Sequence, residues 1–223
     1  MISVIIPTLN EASLVESAIL SAFSQKAVSE VIVVDGGSLD GTPKRARSAS
    51  SVIASPPGRS IQMNVGARAS RGDILVFLHA DSKLPPTYTE EVLAATEDSD
   101  VVGGCAPVRF DHRGFLLNMY SRLSRLKPRI FHYGDGAVFV RRSVFDRLGG
   151  YRDMPLMEDL VMIRALNEAG RFALLKSPVT TSSRRFLAGG VAYTQIKNTV
   201  LVGLFLLGAD PRHLKLFYPD KVR

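Results

Sequence analysis

Residues 2–11 read ISVIIPTLNE, and this stretch gives the clearest indication of the fold class. The apolar, largely β-branched run from Ile2 to Pro7 predicts a buried strand. Similar runs occur at Val31 to Val34 and at Ile74 to Leu78, and segments with helical spacing separate them. Continuous apolar strands that alternate with helices are typical of a parallel sheet covered on both faces. The sequence therefore predicts an α/β fold.

Polar segments follow each of these strands. They are Thr8 to Glu11, Asp35 to Ser38 and His79 to Asp81. Ligands of parallel sheets bind beyond the carboxyl ends of the strands, so we expect the three segments to converge in one cleft. Thr8 and Glu11 also have the spacing of a capping box, which predicts that a helix begins at Thr8.

Two aspartates in these segments are candidates for ligand binding. Asp35 precedes Gly36 and Gly37, and a carboxylate there suits a base or ribose while the glycines permit close backbone approach. Asp81 suits a divalent cation, because one carboxylate with phosphate oxygens and waters is enough to bind Mg²⁺ or Mn²⁺. The alternative for both is a structural aspartate in a turn or loop.

Glu158 and Asp159 open a helix predicted over residues 158–169. The helix dipole alone favours acidic residues in a first turn. The functional alternative is a general base that takes the proton of an attacking hydroxyl. Adjacent residues on a helix point in different directions, so we expect only one of the two carboxylates to act as the general base.

Basic residues exceed acidic ones, 28 against 21, which favours an anionic partner. Arg59, Arg184 and Arg185 are candidate phosphate contacts, since guanidinium matches phosphate oxygens with two hydrogen bonds. The alternative is a solvated surface charge. His79 is a weaker candidate for metal or phosphate binding.

The single cysteine, Cys105, excludes a disulfide within the chain and favours a reducing compartment. No signal peptide is recognisable at the amino terminus. No apolar run reaches the roughly 18 residues of a membrane span. We therefore expect a cytoplasmic protein.

The most apolar helix is predicted over Val191 to Leu207. One of its faces suits a membrane interface, and this would place the protein peripherally at the inner side of the membrane through residues 191–208. The alternatives are packing on the core or on a homodimer partner. The face comprises Tyr193, Ile196, Val200, Leu204 and Leu207. In the second half we also expect one strand over Val101 to Phe110, interrupted at Gly103 and Gly104.

Four motifs occur in a fixed order: PTLNE at 7–11, VVDGGSLD at 33–40, FLHAD at 77–81 and MED at 157–159. Together they resemble family 2 glycosyltransferases of the GT-A fold, which has a mixed, mostly parallel sheet flanked by helices. The similarity extends from residue 1 to about 185. A closer resemblance is to a small bacterial subgroup associated with arsenosugar-type biosynthesis, through segments such as Gly58-Arg59 with Gln62 and Ser182 to Phe186.

The resemblance implies a role for each matching residue. Glu11 would contact the ribose and Asp35 the base, usually uracil. Asp81 is the last residue of the family's D-x-D metal motif, in which His79 replaces the first aspartate, and it would hold Mg²⁺ or Mn²⁺. Asp159 matches the catalytic base, with Glu158 as the alternative. The implied nucleotide-sugar contacts are Thr8, Glu11, Asp35, Gly37, Arg59, Gln62, His79, Ala80, Asp81, Gly134, Asp135, Arg184 and Arg185.

The implied organisation is a glycosyltransferase domain over residues 1–190, with a nucleotide-binding half (1–100) and an acceptor half (101–190). A helical appendage would follow at 191–223. The expected activity is inverting transfer from a UDP-sugar to the hydroxyl of a small-molecule or lipid-linked acceptor; a polyprenyl phosphate at a membrane is the alternative. A sugar nucleotidyltransferase is less favoured because Thr8 to Ser13 lack its Arg and Lys. Nucleic acid is not expected, because aromatic and basic residues do not interleave.

Overall fold

A computed structural model describes residues 1–124 and 136–218. Its larger sheet contains β1 (Ile2–Thr8), β2 (Val28–Asp35), β3 (Ser51–Ala54), β4 (Ile74–Phe77), β6 (Val101–Cys105), β8 (Val138–Arg141) and β9 (Arg171–Leu174). A smaller sheet contains β5 (Ser82–Lys83), β7 (Val108–Phe110) and β10 (Val179–Thr181). The helices are α1 (Val15–Phe23), α2 (Thr42–Arg45), α3 (Arg59–Ala69), α4 (Tyr88–Thr96), α5 (Phe115–Leu123), α6 (Arg142–Arg147), α7 (Glu158–Ala169), α8 (Arg184–Gly189), α9 (Val191–Leu206) and α10 (Pro211–Lys215).

The larger sheet has the strand order β3-β2-β1-β4-β8-β6-β9. β1 pairs in parallel with both β2 and β4, β2 with β3, and β6 with β9. β8 runs antiparallel to its two neighbours, β4 and β6. The sheet is therefore mixed and mostly parallel, as predicted, and the carboxyl ends of β1, β2 and β4 lie at one edge.

Helices cover both faces of this sheet. Val4 and Ile6 of β1 belong to an apolar cluster that includes Ile19 of α1, whereas Ile5 packs with Met63 of α3 on the opposite face. Because both sets are buried, most positions in the strand are apolar. This explains why β1 shows no alternation of polar and apolar residues; its buried polar residues, Ser3 and Thr8, are hydrogen-bonded.

Gly66 lets α3 approach the sheet closely. A Cβ at this position would lie 2.4 Å from Ile5 Cγ2 and 3.1 Å from Val34 Cγ2. Overpacking costs about 1–3 kcal/mol, which exceeds the roughly 1 kcal/mol gained by removing a helical glycine. We therefore expect Gly66→Ala to lower the melting temperature by roughly 2–4 °C.

Gly203 provides the matched control for this substitution. It also lies inside a helix, α9, but a Cβ there would meet no atom within 4 Å. Gly203→Ala should leave the melting temperature unchanged or raise it. Thermal unfolding of both variants checks the packing, and a more stable Gly66→Ala protein would contradict it.

The predicted capping box is wrong. Helix α1 begins at Val15, and β1 continues to Thr8. The Thr8 hydroxyl donates to the Val34 carbonyl (3.3 Å) and to Asp35 Oδ1 (3.0 Å) on the neighbouring strand. Thr8 is therefore part of the sheet, and the residue that precedes α1 is Leu14. Glu11 instead faces the cleft described below.

The predicted break at Gly103 and Gly104 is also wrong. Both glycines lie within β6, and the chain leaves the larger sheet after Cys105 to enter β7 of the smaller one. A Cβ on Gly104 would lie 2.1 Å from the Ala173 carbonyl oxygen of β9. The glycine therefore serves close strand pairing rather than interruption.

Helix α9 confirms the apolar helix predicted near the carboxyl end. Beneath it lies a small apolar cluster of Leu156, Leu201 and Leu214. Among the described residues, every helix is too short or too polar to cross a bilayer. The division of the chain at residue 190 stays a prediction. Cys105 is buried, and burial raises the pKa of its thiol to about 12, as fits an unreactive core residue.

Candidate active site

The segments after β1 and β2 are joined into one rim by hydrogen bonds. The Asn10 amide donates to Ser38 Oγ (2.8 Å), and the Leu39 amide donates to Asn10 Oδ1 (2.9 Å). The Ala12 amide donates to Asp40 Oδ2 (3.0 Å). These contacts fix the rim of a cleft at the carboxyl ends of the two strands.

Asp35 lies at the base of this rim and is almost fully buried. Its Oδ2 accepts from the amides of Gly37 (3.0 Å) and Ser38 (2.8 Å), while Oδ1 accepts from the hydroxyls of Thr8 and Ser38. A carboxylate offers about four acceptor sites, so those of Asp35 are filled by the protein. The observed role of Asp35 is to organise the loop, and its contact with a base stays a prediction.

Gln62 supports the same rim from behind. It is buried, and its Nε2 donates to the carbonyls of Thr8 (2.7 Å) and Val34 (2.8 Å). The amide nitrogen of Gln62 is thus committed to the backbone, and direct contact of Gln62 with a nucleotide stays a prediction. Gly37 differs: its φ of +89° suits glycine, and the space where a Cβ would project is open.

Arg184 connects the first and third of the predicted segments. Its Nη2 lies 2.5 Å from both carboxylate oxygens of Glu11 and 3.9 Å from Asp81 Oδ2. Burial raises the pKa of the Glu11 carboxyl, and the Arg184 guanidinium partly opposes that shift. The Ser182 amide donates to the Asp81 carbonyl (3.0 Å), which fastens the end of β10 to the segment after β4.

Arg185, the neighbour of Arg184, points elsewhere. Its guanidinium contacts the Tyr218 hydroxyl and lies 5.0 Å from the centre of that ring. Of the two arginines predicted to meet the diphosphate, Arg184 is thus the one held directly against the cleft carboxylates.

Asp159 reaches the cleft from the first turn of α7. Its Oδ2 lies 3.9 Å from His79 Nε2, and the two side chains are 11% and 12% exposed. His79 is separated from Asp81 only by the buried Ala80. The structure therefore brings residue 159 to the segment that ends at Asp81, as the sequence predicted.

Glu158 occupies a more enclosed position. It is 1% exposed, and its Oε1 lies 2.7 Å from Arg59 Nε. The N–H does not point at the oxygen, and among the described residues neither carboxylate oxygen accepts a hydrogen bond. Arg59 is therefore the ion-pair partner of Glu158. Burial raises the pKa of the nearby Tyr151 hydroxyl well above its ordinary value, and the negative charges of Asp159 and Glu158 raise that pKa further.

This ion pair should stabilise the fold. Removing one partner of a fully buried pair costs about 3–5 kcal/mol, and we expect about 2 kcal/mol for Arg59→Met because Arg59 is 39% exposed. The melting temperature should fall by roughly 4–8 °C. Adding Glu158→Gln should restore most of the loss, because no charge then remains buried. Thermal unfolding of the two single variants and the double variant measures this coupling, and additive losses would refute it.

The cleft offers one carboxylate suited to a cation. Among residues 1–124 and 136–218, no group of three or more His, Cys, Asp and Glu side chains could hold a metal. Asp81 is 28% exposed on its side chain, and Mg²⁺ commonly takes one or two carboxylates together with phosphate oxygens and water. The site therefore fits a divalent cation shared with a diphosphate. Gly134 and Asp135, predicted as sugar contacts, lie outside the described residues.

Comparison with known families shows which family the chain belongs to. A family model described as glycosyl transferase family 2 matches residues 3–149, which include the cleft segments after β1, β2 and β4. The chain belongs to glycosyl transferase family 2. Its fold is that of the GT-A members, as the resemblance implied.

Individual members of family 2 resemble the chain over different lengths. Glycosyltransferase AglE of Haloferax volcanii is 30% identical over 141 residues, which are 57% of this chain and 46% of AglE. The chain thus spans less than half the length of that relative. The small bacterial subgroup stays a prediction.

Two solved structures of glycosyl-transferring enzymes share the fold. A mannosyltransferase from Pyrobaculum calidifontis, in complex with GDP-Man and Mn²⁺, superposes with a TM-score of 0.66 at 21% identity, covering 100% of this chain and 65% of its own. Glucosyl-3-phosphoglycerate synthase from Mycobacterium tuberculosis, in complex with Mn²⁺, UDP and phosphoglyceric acid, gives 0.64 at 21% identity, covering 93% and 78%.

Two further residues of the site were not predicted as functional. Asp40 accepts from the amides of Ala12 and Thr42 and so joins the two sides of the rim. Its signal in the sequence is the Asp-Gly pair at 40–41, which is typical of a turn. Tyr151 lies near Glu158 and Asp159, and the sequence marks it only by the preceding Gly149 and Gly150, whose positive φ values form the turn before it.

Proposed function

We propose that this chain is an inverting glycosyltransferase that moves a sugar from a nucleoside diphosphate sugar, foremost a UDP-sugar, to a hydroxyl acceptor. One observation carries the proposal. Glu11, Asp81 and Asp159 come from three distant parts of the chain and meet at one cleft, through Arg184 on one side and His79 on the other.

The donor's nucleoside is assigned to the rim between the segments after β1 and β2. In this proposal Glu11 would contact the ribose and the loop held by Asp35 would contact the base; the open space at Gly37 supports it. The structures of the two relatives with GDP-Man and UDP support a nucleoside diphosphate donor in this fold.

The diphosphate is assigned to the region between Asp81 and Arg184. Asp81 would hold Mg²⁺ or Mn²⁺, and the cation would neutralise charge on the departing diphosphate. The Arg184 guanidinium, 3.9 Å from Asp81, is placed to bind phosphate oxygens on the same side. Mn²⁺ in both relatives supports this assignment.

Asp159 is the proposed general base. Its carboxylate would take the proton of the acceptor hydroxyl while the oxygen attacks the anomeric carbon on the face opposite the diphosphate, which inverts the configuration. Glu158, the alternative, is 1% exposed and paired with Arg59, so an acceptor has poorer access to it. We therefore assign Glu158 to supporting the first turn of α7.

The test is a thermal-shift screen of the whole chain against UDP-, GDP-, dTDP- and CDP-sugars, each with and without Mn²⁺. A ligand that binds only the folded form raises the melting temperature. The best donor is then incubated with hydroxyl acceptors, and release of nucleoside diphosphate and the anomeric configuration of the product are measured. If no nucleotide sugar raised the melting temperature, the proposal would fail.

The exposed apolar face of α9 supports a second candidate, transfer to a polyprenyl phosphate at a membrane surface. Assays with the acceptor incorporated in vesicles distinguish it from transfer to small hydroxyl compounds. In either case we propose a cytoplasmic site of action.

A further inference from the structure

Helix α9 turns its most apolar stripe away from the protein. Five side chains spaced three or four residues apart are between 43% and 87% exposed; they are Tyr193, Ile196, Val200, Leu204 and Leu207. This spacing places them along one side of the helix. An α-helix that belongs to a single globular unit normally buries such a stripe, so the arrangement indicates a contact surface.

The protein covers little of this helix. Only Thr194, Leu201 and Val202 of α9 are buried. The chain directly after α10 adds two more exposed apolar side chains, Leu216 and Phe217. We call the five residues of the α9 stripe, together with Leu216 and Phe217, the apolar surface.

The charges near the apolar surface are mostly positive. Residues 185–218 contain four Lys and Arg residues and a single acidic residue, Asp210. Lys197 flanks the stripe and lies 5.6 Å from the ring of Tyr193 and 6.0 Å from that of Tyr218. Arg212 is exposed in α10. Apolar and aromatic side chains flanked by Lys and Arg complement an anionic bilayer, where the apolar face enters the interface and the cations remain at the headgroups.

We propose that the apolar surface docks the protein onto membranes that contain anionic lipids. The basic residues select such a bilayer over a neutral one, and the aromatic rings suit the headgroup level. A second copy of this chain would place the same basic residues against each other across a twofold axis, which charge repulsion disfavours.

The docking surface is connected to the cleft. Leu201 of α9 and Leu214 of α10 pack with Leu156, and Phe205 and Met157 pack against this cluster. Met157 directly precedes Glu158 and Asp159. Arg184 begins α8, which packs against α9. Docking would therefore hold the acceptor side of the cleft near the bilayer. This arrangement deepens the proposed function, although membrane binding is measured independently of transfer.

The experiment is flotation of the whole chain with vesicles of phosphatidylcholine, with and without phosphatidylglycerol. We expect co-flotation only with phosphatidylglycerol, and less of it as salt increases. Val200→Glu should reduce the bound-to-free ratio by about tenfold or more, because it puts a carboxylate in the apolar stripe. Thr199→Glu is the matched control, since it adds the same charge to an exposed position of the same helix outside the stripe.

The melting temperatures of both variants and their thermal shifts with the nucleotide-sugar donor separate docking from folding and from donor binding. Recovery of the parent protein only in the soluble fraction would overturn the proposal. Equal loss of binding in Val200→Glu and Thr199→Glu would also overturn it. So would a dimer by sedimentation that Val200→Glu dissociates and that does not float, because a second copy would then be the occupant.

Discussion

Asp159→Asn should abolish most of the transfer while leaving donor binding nearly intact. General-base catalysis contributes about 100- to 10,000-fold, and asparagine keeps the shape of the side chain without its proton affinity. We therefore expect kcat to fall by a factor in that range and the donor's dissociation constant to change by less than about threefold. The thermal shift and the release of nucleoside diphosphate measure the two quantities on the same protein.

The control for this experiment is Asp153→Asn. Asp153 lies in the exposed segment before α7, six residues from Asp159, and the substitution removes the same charge from the neighbourhood. It should leave kcat near the parent value. A parallel loss of donor binding and kcat in Asp159→Asn would remove the assignment of the base, and a larger loss in Glu158→Gln without unfolding would transfer it to Glu158.

Asp81→Asn should have the second largest effect, acting through the cation. A neutral amide binds a hard divalent cation far less well than a carboxylate. We expect transfer to fall roughly 100-fold or more, because several kcal/mol of leaving-group stabilisation depend on the metal. In the parent protein, Mn²⁺ should increase the thermal shift given by the donor, and a chelator should reverse the increase.

In Asp81→Asn the donor's thermal shift should no longer depend on Mn²⁺. His79→Asn is the companion variant, because His79 stands where the family has the first aspartate of its metal motif. If the donor's thermal shift still depends on Mn²⁺ in His79→Asn but no longer does so in Asp81→Asn, the cation is assigned to Asp81. The same metal dependence in the parent protein and Asp81→Asn would contradict the assignment.

The sequence predicted the parallel part of the sheet because its signals are local. Continuous apolar runs marked β1, β2 and β4, and α7 begins and ends where the pattern placed it, at Glu158 and Ala169. The antiparallel insertion of β8 between β4 and β6 was not predicted, since strand order depends on pairings between distant segments. The break assigned to Gly103 failed for the same reason: the glycines serve neighbouring strands that the local sequence does not reveal.

The candidate site was also predicted only in part, because its local features were visible in the sequence and its long-range contacts were not. Strand ends located Asp35 and Asp81, but the partners of these side chains were not apparent. Arg184 is 173 residues from Glu11 in the sequence, and no local sequence pattern predicts the contact between them. Thr8 and Gln62 were expected to touch a nucleotide, and the structure shows in addition that both hold the rim through hydrogen bonds to β1, β2 and Asp35. A polar residue at a strand end can bind a ligand or can hold a loop in place by hydrogen bonds. Only the geometry of the neighbouring residues distinguishes these two roles.

The contact of Arg184 with Glu11 and Asp81 affects the charge balance of the cleft before any ligand binds. Two carboxylates facing one another would repel, and the guanidinium acts as their shared counter-ion. A cation and a diphosphate that arrive together bring charges of both signs. In their absence, Arg184 offsets one of the two negative charges, which lowers the electrostatic cost of holding Glu11 and Asp81 close together.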